Sequence, residues 1–207
     1  SKKRIAVKDI KKLSKALKKK IENDIKVIIK KNKKVKLFTK DINDGKGSCL
    51  KEVSTEIMTT HVIIHDADLE YFPDDIFEMF KKTLDYTDSL ILGSRFIGSK
   101  TRINIYKRTY FANKIMSLFF SLFNFYKITD VATCYKLMPA SFFTQTTFKE
   151  KGFSIEIELL SKFLKINRSI VEVPIRYRGR SYTEGKKIKA TDGFRYLINT
   201  IKYRFTN

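Results

Sequence analysis

The chain has little of several things, and each shortage removes a class of protein. Its 207 residues include two cysteines, Cys49 and Cys134, too few for a disulfide framework and without metal-ligand spacing. Reduced thiols in the cytosol account for them. No apolar run reaches the roughly 18 residues that span a bilayer, and no secretory leader is recognisable. Internal repeats are missing, as are low-complexity linkers beyond the Lys-rich start. The only two histidines, His61 and His65, lie four apart on an expected strand, which suits strand-end packing better than metal ligation. Acids are in deficit too: 22 Asp and Glu against 43 Lys and Arg leave a net charge of +21.

That positive excess is unevenly placed. Residues 1–36 hold 16 Lys or Arg against three acids, so +13 of the +21 lies there. Most are lysines without interleaved aromatics, the pattern of a solvated helix face, and nucleic acid is not an expected partner. Attraction to an anionic membrane surface follows from the charge alone. The rest is ordinary globular composition, 43% hydrophobic and 13% aromatic, enough for one domain with a sizeable core.

Ile5, Ile10, Leu13, Leu17 and Ile21 recur at near-helical spacing and predict an amphipathic helix over 5–22. Short strands are expected at 25–29 and 35–38, then a helix over 48–58, a strand over 62–64, a helix over 75–84 and a strand over 89–92. Helices over 106–126, 155–164 and 192–203 and a strand over 170–175 complete the reading. Strands alternating with helices indicate an α/β layered fold with a mostly parallel central sheet. The helix over 106–126 crowds Ile115, Leu118, Phe119, Leu122 and Phe123 behind Lys107, Arg108 and Lys114. Two readings of it stand open: a core helix, or one resting in a membrane interface.

The densest chemistry is Val62-Ile63-Ile64-His65-Asp66-Ala67-Asp68-Leu69-Glu70-Tyr71. An apolar strand runs into acids spaced by two, and alternate residues of an extended segment share a face. Asp66, Asp68 and Glu70 are therefore expected to converge. Hard oxygen ligands at a strand end suit Mg²⁺ or Mn²⁺, which bind through one or two carboxylates plus substrate phosphates. Pro73-Asp74-Asp75 then opens a helix, so the acids sit where open α/β sheets bind ligands.

Four further segments follow a familiar order. They are Asp44-Gly45-Lys46-Gly47, Gly93-Ser94-Arg95-Phe96, Thr129-Asp130-Val131-Ala132-Thr133-Cys134-Tyr135-Lys136, and Glu172-Val173-Pro174-Ile175 leading into Arg180 through Ile188. Together with Asp66-Ala67-Asp68 they resemble the family 2 nucleotide-sugar glycosyltransferases, most nearly the polyprenyl-phosphate sugar transferases of the dolichyl-phosphate mannose synthase type. The likeness covers roughly residues 43–205.

The resemblance implies a GT-A type, Rossmann-like fold and an inverting transfer from a UDP- or GDP-sugar to a polyprenyl phosphate, made at the cytoplasmic membrane face by a peripheral protein. Asp66 and Asp68 would face donor and metal, with Glu70 a further ligand and Lys46 near the nucleotide. Arg95 and Arg180 would contact phosphates, and Lys186 and Lys187 would help close the C-terminal loop. Asp130 sits where many inverting members place a base. It could equally cap a helix or pair with an arginine, and Arg176, Arg178 and Arg180 could form a solvated strand edge. A hydroxyl acceptor needs a base, whereas a phosphate acceptor needs cations instead. Nine of the ten arginines fall at or after residue 95, beside these motifs.

The family's opening Pro-x-x-Asn-Glu strand and Asp-Asp-Gly-Ser loop have no counterpart. Residues 1–42 are accordingly expected to be a Lys-rich helix and short strands of an N-terminally incomplete nucleotide-binding half, and 43–207 the remainder of the catalytic domain. A truncated relic acting as a basic binding module, or a transferase using a glycan hydroxyl, are the alternatives.

Overall fold

The computed structural model describes residues 44–103, 106–180 and 190–206, with positions 23, 27, 36, 38 and 42. The chain divides into two compact units, 1–43 and 44–207. In the first, Asn23 and Val27 are helical, so a strand over 25–29 is not what position 27 adopts. The helix over 5–22 lies outside the described residues, as do positions 35 and 37 of the strand expected over 35–38, while Lys36 and Phe38 are not in a strand.

In the second unit, α1 (Lys46–Ser54) leads to β1 (His61–Ile63), α2 (Asp75–Asp85), β2 (Leu90–Ser94), β3 (Arg102–Ile103) and α3 (Lys107–Asn124). Then come β4 (Lys136–Pro139), α4 (Ala140–Gln145), α5 (Ile155–Ile166), β5 (Ile170–Pro174), β6 (Tyr177–Arg178) and α6 (Ala190–Phe205). The main sheet has the order β1-β4-β2-β5. Strand β2 pairs parallel with β5, while β4 runs antiparallel to both β1 and β2. The α/β layering is as expected, but among the described residues the sheet is mixed rather than mostly parallel. The reason is β4, a strand inserted between two that would otherwise be neighbours. A second, two-stranded parallel sheet joins β3 and β6.

Strand period two divides the core into two faces. Leu90, Leu92, Met138 and Ile170 meet Phe120 of α3 and Ile157, Leu160 and Phe163 of α5 on one side. Ile91, Leu137 and Val173 meet Met79 of α2 with Tyr71, Tyr135 and Tyr177 on the other. All five residues of β2 are buried, the continuous apolar run of a strand covered on both faces. Gly93 is required there, because a Cβ would lie 2.9 Å from Cβ of Tyr135 and 3.0 Å from Ile175.

Candidate functional site

The turn 44–47 and the acidic loop after β1 meet through Lys46. Its Nζ lies 2.8 Å from Asp66 and 2.7 Å from Glu156 of α5. Glu156 in turn is 2.5 Å from Nζ of Lys136 at the start of β4, which also donates to the carbonyl of Thr133. Acid and base thus alternate as Asp66, Lys46, Glu156, Lys136, and Glu156 and Lys136 are buried. Burial pulls Lys46 toward neutrality, but Glu156 and Asp66 outweigh it and hold the ammonium charged. Burial likewise pushes Glu156 up, and the two lysines bring it below the ordinary carboxylate range.

The glycines around Lys46 have a steric cause. At Gly47 a Cβ would lie 2.1 Å from the carbonyl oxygen of Glu150, and Gly45, at φ 108°, would meet that of Lys151 at 2.4 Å. Segment 150–151 closes onto this turn and accepts the Ser48 N–H at 3.2 Å. It is anchored from α5 by buried Glu158, which accepts the N–H groups of Lys149 and Glu150, each at 2.7 Å.

Beyond Asp66 the acids take a different partner. Strand β1 ends at Ile63, and Leu69 adopts the left-handed region at φ 63°, so the period-two rule breaks before Glu70. Asp68 and Glu70 turn to Arg180 instead. Nη2 of Arg180 donates to Asp68 at 2.9 Å and its Nε to Glu70 at 3.1 Å. Glu70 is buried and also accepts the Arg180 N–H at 3.0 Å and the Tyr177 hydroxyl at 2.8 Å. Burial raises Glu70, yet these hydrogen bonds hold it below its usual value. Asp68 has fewer donors; burial dominates and pushes its carboxyl up.

Arg95 and Asp130 form the innermost pair. Nε and Nη2 of Arg95 each donate to the carboxylate at 2.7 Å, and the Arg95 backbone N–H adds a bond at 2.9 Å. Asp130 is 0% exposed. The guanidinium also lies over the rings of Tyr177 and Phe96, at 4.9 Å and 5.4 Å. Ser117 and Ser121 of α3 accept the N–H groups of Val131 and Ile128 and so fix the segment that carries Asp130. Of the three readings open for Asp130, base, helix cap or arginine partner, the contact observed is that with the arginine. Arg95 is enclosed in the same way, at 6% exposed.

Aromatic rings join these parts. Tyr71 accepts the Cys134 N–H through its hydroxyl, packs on Tyr135 and stands edge-on to Tyr177, 5.2 Å between centroids. Cys134 beside them is buried, and its thiol is pushed up to about 12. Lys46, Asp66, Asp68, Glu70, Arg95, Asp130 and Arg180 therefore belong to one neighbourhood. Lys186 and Lys187 lie outside the described residues. His61 and His65 pack as expected, His61 against the Thr87 carbonyl and His65 against Tyr135.

Among the described residues no group of three or more His, Cys, Asp or Glu side chains could hold a metal ion. Glu70 has both its oxygens engaged, by Arg180 and Tyr177, as has Asp66 by Lys46 and Asp68 by Arg180 and the Glu70 N–H. Asp66 and Asp68 keep side-chain exposures of 32% and 24% and meet a Lys and an Arg respectively, cations that a donor-bound ion could replace. Glu156 and Lys136 were not anticipated, though two acids in the otherwise apolar run Ile155-Glu156-Ile157-Glu158-Leu159-Leu160 marked them for buried partners. Tyr177 carried no signal.

Set against known proteins, residues 14–147 match the family described as "Glycosyl transferase family 2". The match begins upstream of the first motif and stops before Arg180. No curated protein matches the chain.

Proposed function

The chain belongs to glycosyl transferase family 2, and from that premise we propose that it moves a sugar from a UDP- or GDP-sugar to a polyprenyl phosphate at the cytoplasmic membrane face. The observation that carries the choice of acceptor is the enclosure of Asp130. A hydroxyl acceptor must lose a proton to a base, and Asp130, the base that the resemblance offers, is fully buried with both oxygens on Arg95. A phosphate acceptor is already an anion and needs no base.

In this reading Asp66 and Asp68 face the donor and, with its diphosphate oxygens, would hold Mg²⁺ or Mn²⁺. Such an ion supplies Lewis-acid stabilisation of the departing diphosphate. Lys46 orients Asp66 and keeps the site's charge near balance. Arg180, partly exposed, is the cation best placed to trade an acid for a phosphate, because its planar fork suits two phosphate oxygens. Lys186 and Lys187 would extend that contact. Arg95 and Asp130 are positioning residues: they hold Tyr177, and through it Glu70 and Arg180.

The test is transfer of label from UDP-glucose or GDP-mannose to a polyprenyl phosphate in detergent with Mn²⁺. Label entering an acid-labile, organic-extractable product, and absent with Asp68→Ala, is the expected result. Label passing only to water-soluble glycan, or to neither, would overturn the reading.

A further inference from the structure

Helices α3 and α6 are built the wrong way round for water. The residues that α3 buries are Asn113, Ser117, Phe120 and Asn124, three of them polar. Those it exposes are Phe111, Ile115, Leu118 and Leu122, from 61% to 63% exposed, followed by Phe125 at 79%. Their spacing of three and four makes one stripe along the helix. The inner polar groups are satisfied: Ser117 and Ser121 accept N–H groups of the 128–131 segment, and Asn124 donates to the Phe120 carbonyl.

The neighbouring α6 repeats the inversion. It packs against α3 and α5 and buries Tyr196, Asn199, Thr200 and Tyr203. Tyr196 donates to the Phe153 carbonyl and Tyr203 to Glu150. Outward it shows Phe194, Ile198, Ile201 and Phe205, 41% to 75% exposed, again at spacings of four and three. Arg204 reaches across to the Phe125 ring. A soluble helix pair would place these sets the other way. Contiguous exposed apolar surface of this kind marks a partner surface.

Charge selects the partner. Helix α3 contains Lys107, Arg108 and Lys114 and no acid, and α6 adds Arg195, Lys202 and Arg204 against a single Asp. A second copy would bring the same cations face to face. An anionic bilayer offers an apolar layer beneath negative headgroups, matching a helix that is apolar on one side and ringed with Lys and Arg. Among the described residues no helix is long and apolar enough to cross a membrane, so the fit is to lying on one.

We infer that the outward stripes of α3 and α6 form one docking face for the surface of an anionic phospholipid bilayer. It names the surface used by the membrane-face enzyme proposed above and rests on that reading, while donor binding in solution tests the transferase separately.

The experiment is flotation of the whole chain with vesicles of phosphatidylcholine plus phosphatidylserine, and of phosphatidylcholine alone. The variants are Leu118→Glu and Ile198→Glu, singly and together, with thermal unfolding as a control for folding. Binding to the mixed vesicles that persists at high salt and falls about tenfold for each substitution is expected, with unfolding unchanged. Binding that salt abolishes and neither substitution alters would overturn the proposal, because the lysines of residues 1–36 would then suffice. A concentration-dependent dimer that Leu118→Glu dissociates, without vesicle binding, would overturn it in favour of self-association.

Discussion

Nη2 of Arg180 lies 2.9 Å from Oδ2 of Asp68, and the same guanidinium reaches Glu70 at 3.1 Å. One cation from beyond β6 thus bridges two acids of the loop after β1. The bridging side chain is partly exposed, at 35%. Asp68 is the more available acid; Glu70 is locked.

That difference is measurable by carboxylate-detected NMR. Burial first, then neighbouring Glu70 and Asp66, raise Asp68, while the Glu70 N–H and Arg180 lower it. Asp68 is expected to titrate above the usual Asp value of about 3.9, and Glu70 below its usual value. Arg180→Ala should move Asp68 further up, because a charge that favours the carboxylate is lost. No movement would mean that Arg180 does not hold Asp68 in solution.

The Arg95–Asp130 pair makes a second prediction. Asp130→Ala leaves a buried guanidinium without its counter-charge, a loss of about 3–5 kcal/mol for such pairs. Denaturant unfolding should show it. Unchanged unfolding would mean that the pair does not form in solution.

Acid should unfold the protein in a defined sense. Glu70 and Glu156 titrate below their usual value when folded. Their contribution is complete above the unfolded value of about 4.3 and is lost as pH falls through the folded values. Asp68 and Glu172, raised chiefly by burial, act in the other direction and soften the fall. The urea midpoint should therefore decline below about pH 4.3, and Glu70→Gln should make the decline shallower. A steeper decline in the variant would contradict this.

Much of this was legible in the residues, and the exceptions have causes. The strand before Asp66 and the helix at Asp75 appear within a few residues of their expected places, since apolar runs and a Pro-Asp-Asp turn are local signals. Strand β4 was not anticipated: Lys136-Leu137-Met138-Pro139 is short, starts on a lysine and ends on a proline. The distant Glu156, with the carbonyls of Val131 and Thr133, makes that lysine tolerable inside the sheet. The three acids were expected on one face because alternation was extended past Ile63, where the chain leaves the strand and Leu69 turns left-handed. Asp130 and Arg95 were recognised as a site, but their enclosure depends on Tyr177 and on the serines of α3, which no spacing reveals. Polar inward residues on α3 were hidden for the same reason: which side of a helix meets the core is a tertiary fact.

The most direct measurement is calorimetric titration of UDP-glucose and GDP-mannose, with and without Mn²⁺, against the chain and its Asp68→Ala variant. The account predicts binding of one donor that requires Mn²⁺ and disappears in the variant while its thermal unfolding stays the same. Equal donor binding by both proteins, indifferent to Mn²⁺, would contradict a donor site at Asp66 and Asp68.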